Sequence, residues 1–341
     1  MGDGVRPRVH KLVVAAFECI LFSSLVLVAS GQARVAHSQT ADSGSNSSAS
    51  QVSYGRATTF RVHSDLVLIP VTVTDGKGRV VTGLNKEQFT LFEDKREQTI
   101  THFASEDAPA SIGIVFDTSD SMAPKLTKAR EAVAALLTNS NLADEFFLVK
   151  FSTEPVLVVP MTTEKEEIAR RVEAITVRGT TALLDAVGMA MNEMKNARYT
   201  RKALVIISDG EDNASHCSVH DLKERVSEAD VLIYAIGLTD SSALYYSTMT
   251  WPPPVSTGST LLTEIARETG GRLFEVHKLK ELPQIASKIS AWLRNQYVLG
   301  YSPANSRDNG KYHRIQVKLT KPSGFPRLHA SWRLGYYAPA D

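Results

Sequence analysis

Ile112-Gly113-Ile114-Val115-Phe116-Asp117-Thr118-Ser119-Asp120-Ser121 is the stretch on which the reading of this chain turns. Its first half is apolar at every residue but Gly113, and such an unbroken run fits a strand covered on both faces, as in a parallel sheet flanked by helices. Its second half consists entirely of hydroxyls and carboxylates. A loop at the carboxyl end of a central strand stands where doubly wound sheets form their ligand crevice. A hard cation such as Mg²⁺ takes oxygen ligands in a near-octahedral array and keeps some waters, so one or two carboxylates with several hydroxyls suit it. Asp117, Ser119 and Ser121 supply half of such a shell, because their i, i+2, i+4 spacing lets a tight loop turn all three side chains toward one point. An ordinary helix cap would explain this segment alone.

Outward from it the pattern alternates. Leu126, Ala129, Val133, Leu136 and Leu137 share one face of a helix expected over residues 125–137. Strands are expected at 146–151, 156–159, 204–207, 231–236 and 272–276, and helices at 164–175, 183–194, 219–229, 261–268 and 282–293. This order predicts a doubly wound, mostly parallel α/β sheet. Two further segments reach the same crevice. The strand ending at Ile207 runs into Ser208-Asp209-Gly210, which brings a second carboxylate and a glycine for the sharp exit. The loop Arg178-Gly179-Thr180-Thr181-Ala182 brings a hydroxyl just before a helix. A cap does not predict Asp209 at a second strand end.

The flanks follow a period of two. Leu66 to Thr74 alternates and ends in the turn Asp75-Gly76-Lys77-Gly78, read as a hairpin, and β-like runs follow at 88–92 and 99–103. Strands return at 297–301, 312–319 and 328–334, with turns at Asn309-Gly310 and Ser323-Gly324. Neither flank is long enough for a sandwich alone, so the two are expected to pair into one small β domain with the α/β domain inserted within it. The resulting division is 1–33 signal peptide or anchor, 34–55 linker, 56–107 N-terminal β segment, 108–295 α/β domain and 296–341 C-terminal β segment.

The 341 residues are 43% hydrophobic and 22% charged, with 38 Lys and Arg against 37 Asp and Glu, which allows a large core and gives no basic run to meet a phosphate backbone. Nucleic acid is therefore not an expected partner. Arg6, Arg8 and Lys11 precede an apolar stretch from Leu12 to Ala29, and small residues follow at Ala29, Ser30, Gly31 and Ala33. This predicts export, by a cleaved signal or by an uncleaved anchor that is the chain's only expected membrane contact. Residues 38–53 are too poor in large apolar side chains to fold. Cleavage would leave Cys217 as the single cysteine, so no internal disulfide is expected.

The three site segments resemble the metal-ion-dependent adhesion site of von Willebrand factor type A domains, whose pattern is Asp-x-Ser-x-Ser, then Thr, then Asp. The matching residues here are Asp117, Ser119 and Ser121, the Thr within Gly-Thr-Thr-Ala-Leu-Leu-Asp-Ala, and the Asp of Ile-Ser-Asp-Gly. Spacing to Asp185 and Ala186 favours Thr181 for the third element, with Thr180 the alternative. The resemblance spans about residues 108–295. The flanks Ile69-Pro70-Val71, Phe89 to Asp94, Tyr297 to Ser302 and Gly335-Tyr336-Tyr337-Ala338-Pro339 resemble a bacterial, acidobacterial-type family of related domains. The resemblance implies one divalent metal, Mg²⁺ first with Mn²⁺ or Ca²⁺ as substitutes, and an open coordination position that an Asp or Glu of a protein or peptide partner fills.

Competing readings are weaker. His216, Cys217 and His220 suggest zinc or thiol chemistry, but no fourth ligand stands at finger-like spacing. Ser208, Asp209 and the histidines lack a Gly-x-Ser-x-Gly elbow, and no nucleotide-binding glycine motif occurs. Asp120 is expected in solvent and Asp185 inside a helix without a direct role. The expectation is an exported binding or adhesion module and not an enzyme. A structural envelope component without metal-dependent binding, or a metal-assisted hydrolase, is the alternative.

Overall fold

The strand Ser111–Asp117 (β5) lies at the centre of a six-stranded sheet, and every one of its residues is buried. It pairs in parallel with Glu145–Phe151 (β6) on one side and Lys202–Ser208 (β8) on the other. Beyond β8 come Leu232–Leu238 (β9) and Arg272–Val276 (β10), both parallel, while Pro155–Thr162 (β7) closes the other edge antiparallel to β6. Chain order therefore reverses at β5, and the crevice over its carboxyl end opens between β6 and β8. The computed structural model describes residues 66–105, 107–238, 257–303 and 310–338.

Alternation along the strands divides their apolar runs between two cores. Ile112, Ile114 and Phe116 join Ala203, Val205 and Ile207 under the helices Leu126–Asn139 (α1), Lys165–Glu173 (α2) and Leu282–Arg294 (α6). Val115, Leu204, Ile206, Phe147 and Val149 face the other way, under Leu183–Glu193 (α3), Val219–Glu228 (α4) and Thr257–Glu268 (α5). Each fully buried side chain of this size contributes about 1.5–3 kcal/mol, so two such faces hold the sheet without a disulfide.

The flanking segments pair. Val67–Asp75 (β1) lies between Leu328–Trp332 (β13) and Tyr297–Tyr301 (β11), with His102–Ala104 (β4) beyond β11. Phe89–Glu93 (β2) lies between Arg96–Gln98 (β3) and Tyr312–Leu319 (β12), with Gly335–Tyr337 (β14) beyond β12. Both four-stranded sheets contribute to one core, Ile69, Val71, Leu299 and Tyr301 from one and Phe89, Leu91, Ile315 and Val317 from the other. The hydroxyls of Tyr301 and Tyr336 both donate to Glu93 Oε1, at 2.9 and 2.6 Å. Buried Arg201 donates to the carbonyls of Ala108, Arg294 and Gln296, clamping the points where the chain enters and leaves the α/β region.

Four details depart from the sequence reading. The turn after Asp75 forms, but its returning arm makes a single bridge, Thr74 with Val80, because β13 holds one edge of residues 71–75 and β11 takes residues 67–71 of the other. The run at 99–103 yields strand only from His102, and an unforeseen hairpin turns at Asp94 and Lys95, both at positive φ, a conformation usually signalled by glycine. The last long strand stops at Trp332, and Gly335–Tyr337 pairs separately with β12. Helix α5 starts at Thr257, earlier than expected, because Gly258, Ser259 and Thr260 carry no apolar periodicity. The export-signal and linker readings lie outside the described residues. Among the described residues no helix is long and apolar enough to cross a membrane.

Candidate metal centre

Strand β5 ends on Asp117 and β8 ends on Ser208, and the two meet across the crevice. Fully buried Asp117 accepts the Ser119 N–H on Oδ1 at 2.9 Å and the Ser208 hydroxyl on Oδ2 at 2.6 Å. Ser208 Oγ in turn accepts the N–H of Gly210, which turns the chain away at φ +86°, where a side chain would be strained. Ser119 Oγ and Ser121 Oγ lie 3.1 Å apart. The i, i+2 hydroxyls thus do converge on one side of the loop, while Asp120 is exposed.

The third loop is tied to the first through its backbone. Arg178 N–H donates to Thr118 O at 2.8 Å, and Asp120 N–H donates to Gly179 O at 3.0 Å. The end of β6 braces both: Thr118 donates its N–H and its hydroxyl to Phe151 O, and Ala182 N–H donates to Ser152 O. The two candidate threonines separate clearly. Thr181 is buried, its N–H donating to Asn213 Oδ1 at 2.9 Å; Thr180 is exposed, its hydroxyl 3.0 Å from Thr153 Oγ1.

Electrostatics favour positive charge beside these groups. Burial pushes the Asp117 carboxyl up to about 6, against the hydrogen bonds from Ser119 and Ser208, and the nearby charge of Asp209 adds to the rise. Asp209 Oδ2 accepts from Lys125 Nζ at 2.9 Å, whereas its Oδ1 is buried without a hydrogen-bond partner. Leaving such an oxygen unmatched costs about 1–3 kcal/mol or more, and a cation satisfies it. Every donor gathered here is a hard oxygen, which suits Mg²⁺ or Mn²⁺. The residues present fit a divalent cation.

Other residues build the site that the sequence reading passed over. Lys125 was read only as a helix residue. Asp212 and Ser215 cap α3: Asp212 Oδ1 accepts Leu183 N–H, and Ser215 Oγ accepts the N–H groups of Leu184 and Asp185. Asp185, assigned no direct role, is an anchor within this frame. It accepts the N–H groups of His216 and Cys217 and the His216 ring; burial would raise its pKa, but these bonds outweigh that and hold it low. The signal was available as an acidic residue in the first turn of a helix. His220 instead faces Glu224 at 3.4 Å, and among the described residues no three His, Cys, Asp or Glu side chains gather to hold a metal.

A family model described as von Willebrand factor type A domain matches residues 112–211, the span from the start of the β5 apolar run to just past Asp209. Over residues 112–211 the chain is of the von Willebrand factor type A kind. An uncharacterized protein of Borreliella burgdorferi is 24% identical over 187 residues, which cover 50% of this chain and 54% of that protein. The chain thus spans about half the length of the curated relative it matches. Among solved structures, a von Willebrand factor type A protein from Catenulispora acidiphila has TM-score 0.47 and 13% identity, covering 82% of this chain and 75% of that one. The proximal thread matrix protein 1 of the mussel byssus, with a zinc-occupied adhesion-site motif, has TM-score 0.43 and 19% identity, covering 59% of this chain and 49% of that one.

Proposed function

We propose that this chain is an exported binding module that captures a protein or peptide through a carboxylate bridged by a divalent metal, Mg²⁺ first. Asp117, Ser119, Ser121, Thr181 and Asp209 are the residues that would hold the metal. When bound, the metal supplies a positive centre with a coordination position for an Asp or Glu of the partner. The observations that support this reading are buried Asp117 bound to Ser208 across the ends of two strands, the Ser119 and Ser121 hydroxyls 3.1 Å apart in the loop that follows Asp117, and an Asp209 oxygen that is buried without a hydrogen-bond partner. Asp117 is fixed by Ser208 and Ser119, the Thr181 backbone by Asn213, and the α3 N-terminus by Asp212 and Ser215, so the frame that carries these side chains is built before a ligand arrives. Export follows from the reading of residues 1–33 as signal or anchor and 34–55 as linker.

An acidic-peptide array probed with the purified chain tests this. Peptides bearing Asp or Glu should be retained in Mg²⁺, released by EDTA, and lost on replacement of the acid by its amide. Retention that ignores EDTA and amidation would contradict it.

A further inference from the structure

Among the described residues Lys125 is the only buried lysine. Its backbone is fixed on both sides, its N–H donating to Met122 O and its carbonyl accepting from Ala129, so its side chain leaves the start of α1 in a set direction. That direction leads across the crevice to Asp209 Oδ2 at 2.9 Å, with both side chains 9% exposed. Asp209 therefore has one oxygen held by an ammonium and one oxygen without a partner. Two cations, one built in and one from solution, draw on the same carboxylate.

We propose that Lys125 is the resident counter-ion of Asp209 and competes with the divalent metal for it, setting a ceiling on metal affinity. This rests on the metal reading above. The device has two effects. Without metal it spares the protein a second uncompensated buried carboxylate beside Asp117. With metal, the two aspartates, the ammonium and a divalent ion together leave one net positive charge, which an incoming carboxylate neutralises. Lys125 thus weakens capture of the metal alone and favours an acidic ligand as the last component.

Titration calorimetry with Mg²⁺ alone, on wild type, Lys125→Gln and Lys125→Arg, tests the proposal together with thermal melts in Mg²⁺ and in EDTA. Lys125→Gln should bind Mg²⁺ about tenfold tighter or better. It should melt lower than wild type in EDTA, and Mg²⁺ should raise its Tm by more than it raises that of wild type. Lys125→Arg, which keeps the charge, should stay within a few-fold of wild type. Lys125→Gln binding Mg²⁺ no tighter than a wild type that does bind it would overturn the proposal and leave the metal site standing; so would an equal loss of Tm with and without Mg²⁺, the mark of a structural lysine. Wild type that takes up no Mg²⁺ would overturn the metal reading itself. Should Lys125→Gln not fold, side-chain ¹⁵N spectra of wild-type lysines decide: a protected ammonium resonance should shift on adding Mg²⁺, and a resonance that Mg²⁺ leaves untouched would overturn the competition.

Discussion

Asp117→Ala is expected to abolish saturable Mg²⁺ and Mn²⁺ binding. Outer-shell changes at metal sites cost about 10–100-fold in affinity, and deletion of a buried carboxylate at the centre of the constellation should exceed that. The fold should survive. The carboxyl of Asp117 sits at about 6 against an ordinary 3.8, chiefly through burial, so ionising it at pH 7 works against folding by about 3 kcal/mol at most. Truncation relieves that cost but leaves the Ser119 N–H and the Ser208 hydroxyl without their acceptor, at about 1–3 kcal/mol each. The two effects are of similar size, and the EDTA melting temperature should stay within a few degrees of wild type. Metal separates the proteins: at 100 times its dissociation constant a ligand stabilises its host by about 2.7 kcal/mol, so wild type should gain several degrees in Mg²⁺ and the variant none. An Asp117→Ala protein that still gains stability from Mg²⁺ would exclude this carboxylate from the site.

Gly113→Val should damage the sheet severely. Gly113 stands in register with Phe147 on β6 and Leu204 on β8, both fully buried. A Cβ built on Gly113 collides with the Phe147 ring and sits 2.5 Å from Leu204 Cδ2. Over-packing a close-packed core costs typically about 1–3 kcal/mol, and valine adds three carbons where the first already clashes. A loss of about 3 kcal/mol or more, near ten degrees in Tm, is expected by thermal denaturation. Because β5 carries Asp117 at its end, metal affinity should fall as well. Phe147→Leu in the same chain should recover part of the stability, since the two sites share one volume; a Gly113→Val protein as stable as wild type would show that the ring moves aside freely.

The same glycine shows what the sequence made legible. As the one gap in an apolar run it did not disturb the strand assignment, because burial on both faces leaves a pattern that one missing side chain cannot hide. That a ring from β6 fills the gap depends on register, which a single strand does not encode. The site divides in the same way. Asp117, Ser119 and Ser121 stand close enough in sequence for spacing alone to suggest convergence, and Asp209 follows from a strand ending in a carboxylate. Lys125 meets Asp209 across 84 positions, so nothing local distinguishes it from a solvent-facing lysine at a helix start. Asp212 and Ser215 escaped notice because they cap a helix that begins about thirty residues earlier in the chain. The hairpin at Asp94-Lys95 was hidden because neither residue is the glycine that positive φ normally selects.

Anomalous diffraction from a crystal of the wild-type chain soaked in Mn²⁺ is the most direct measurement. A single strong peak within about 2.5 Å of oxygens from Ser119 and Ser121, with Asp117, Thr181 and Asp209 around it, is the expected result. No peak over the ends of β5 and β8, or manganese held only at His216 and His220, would contradict it.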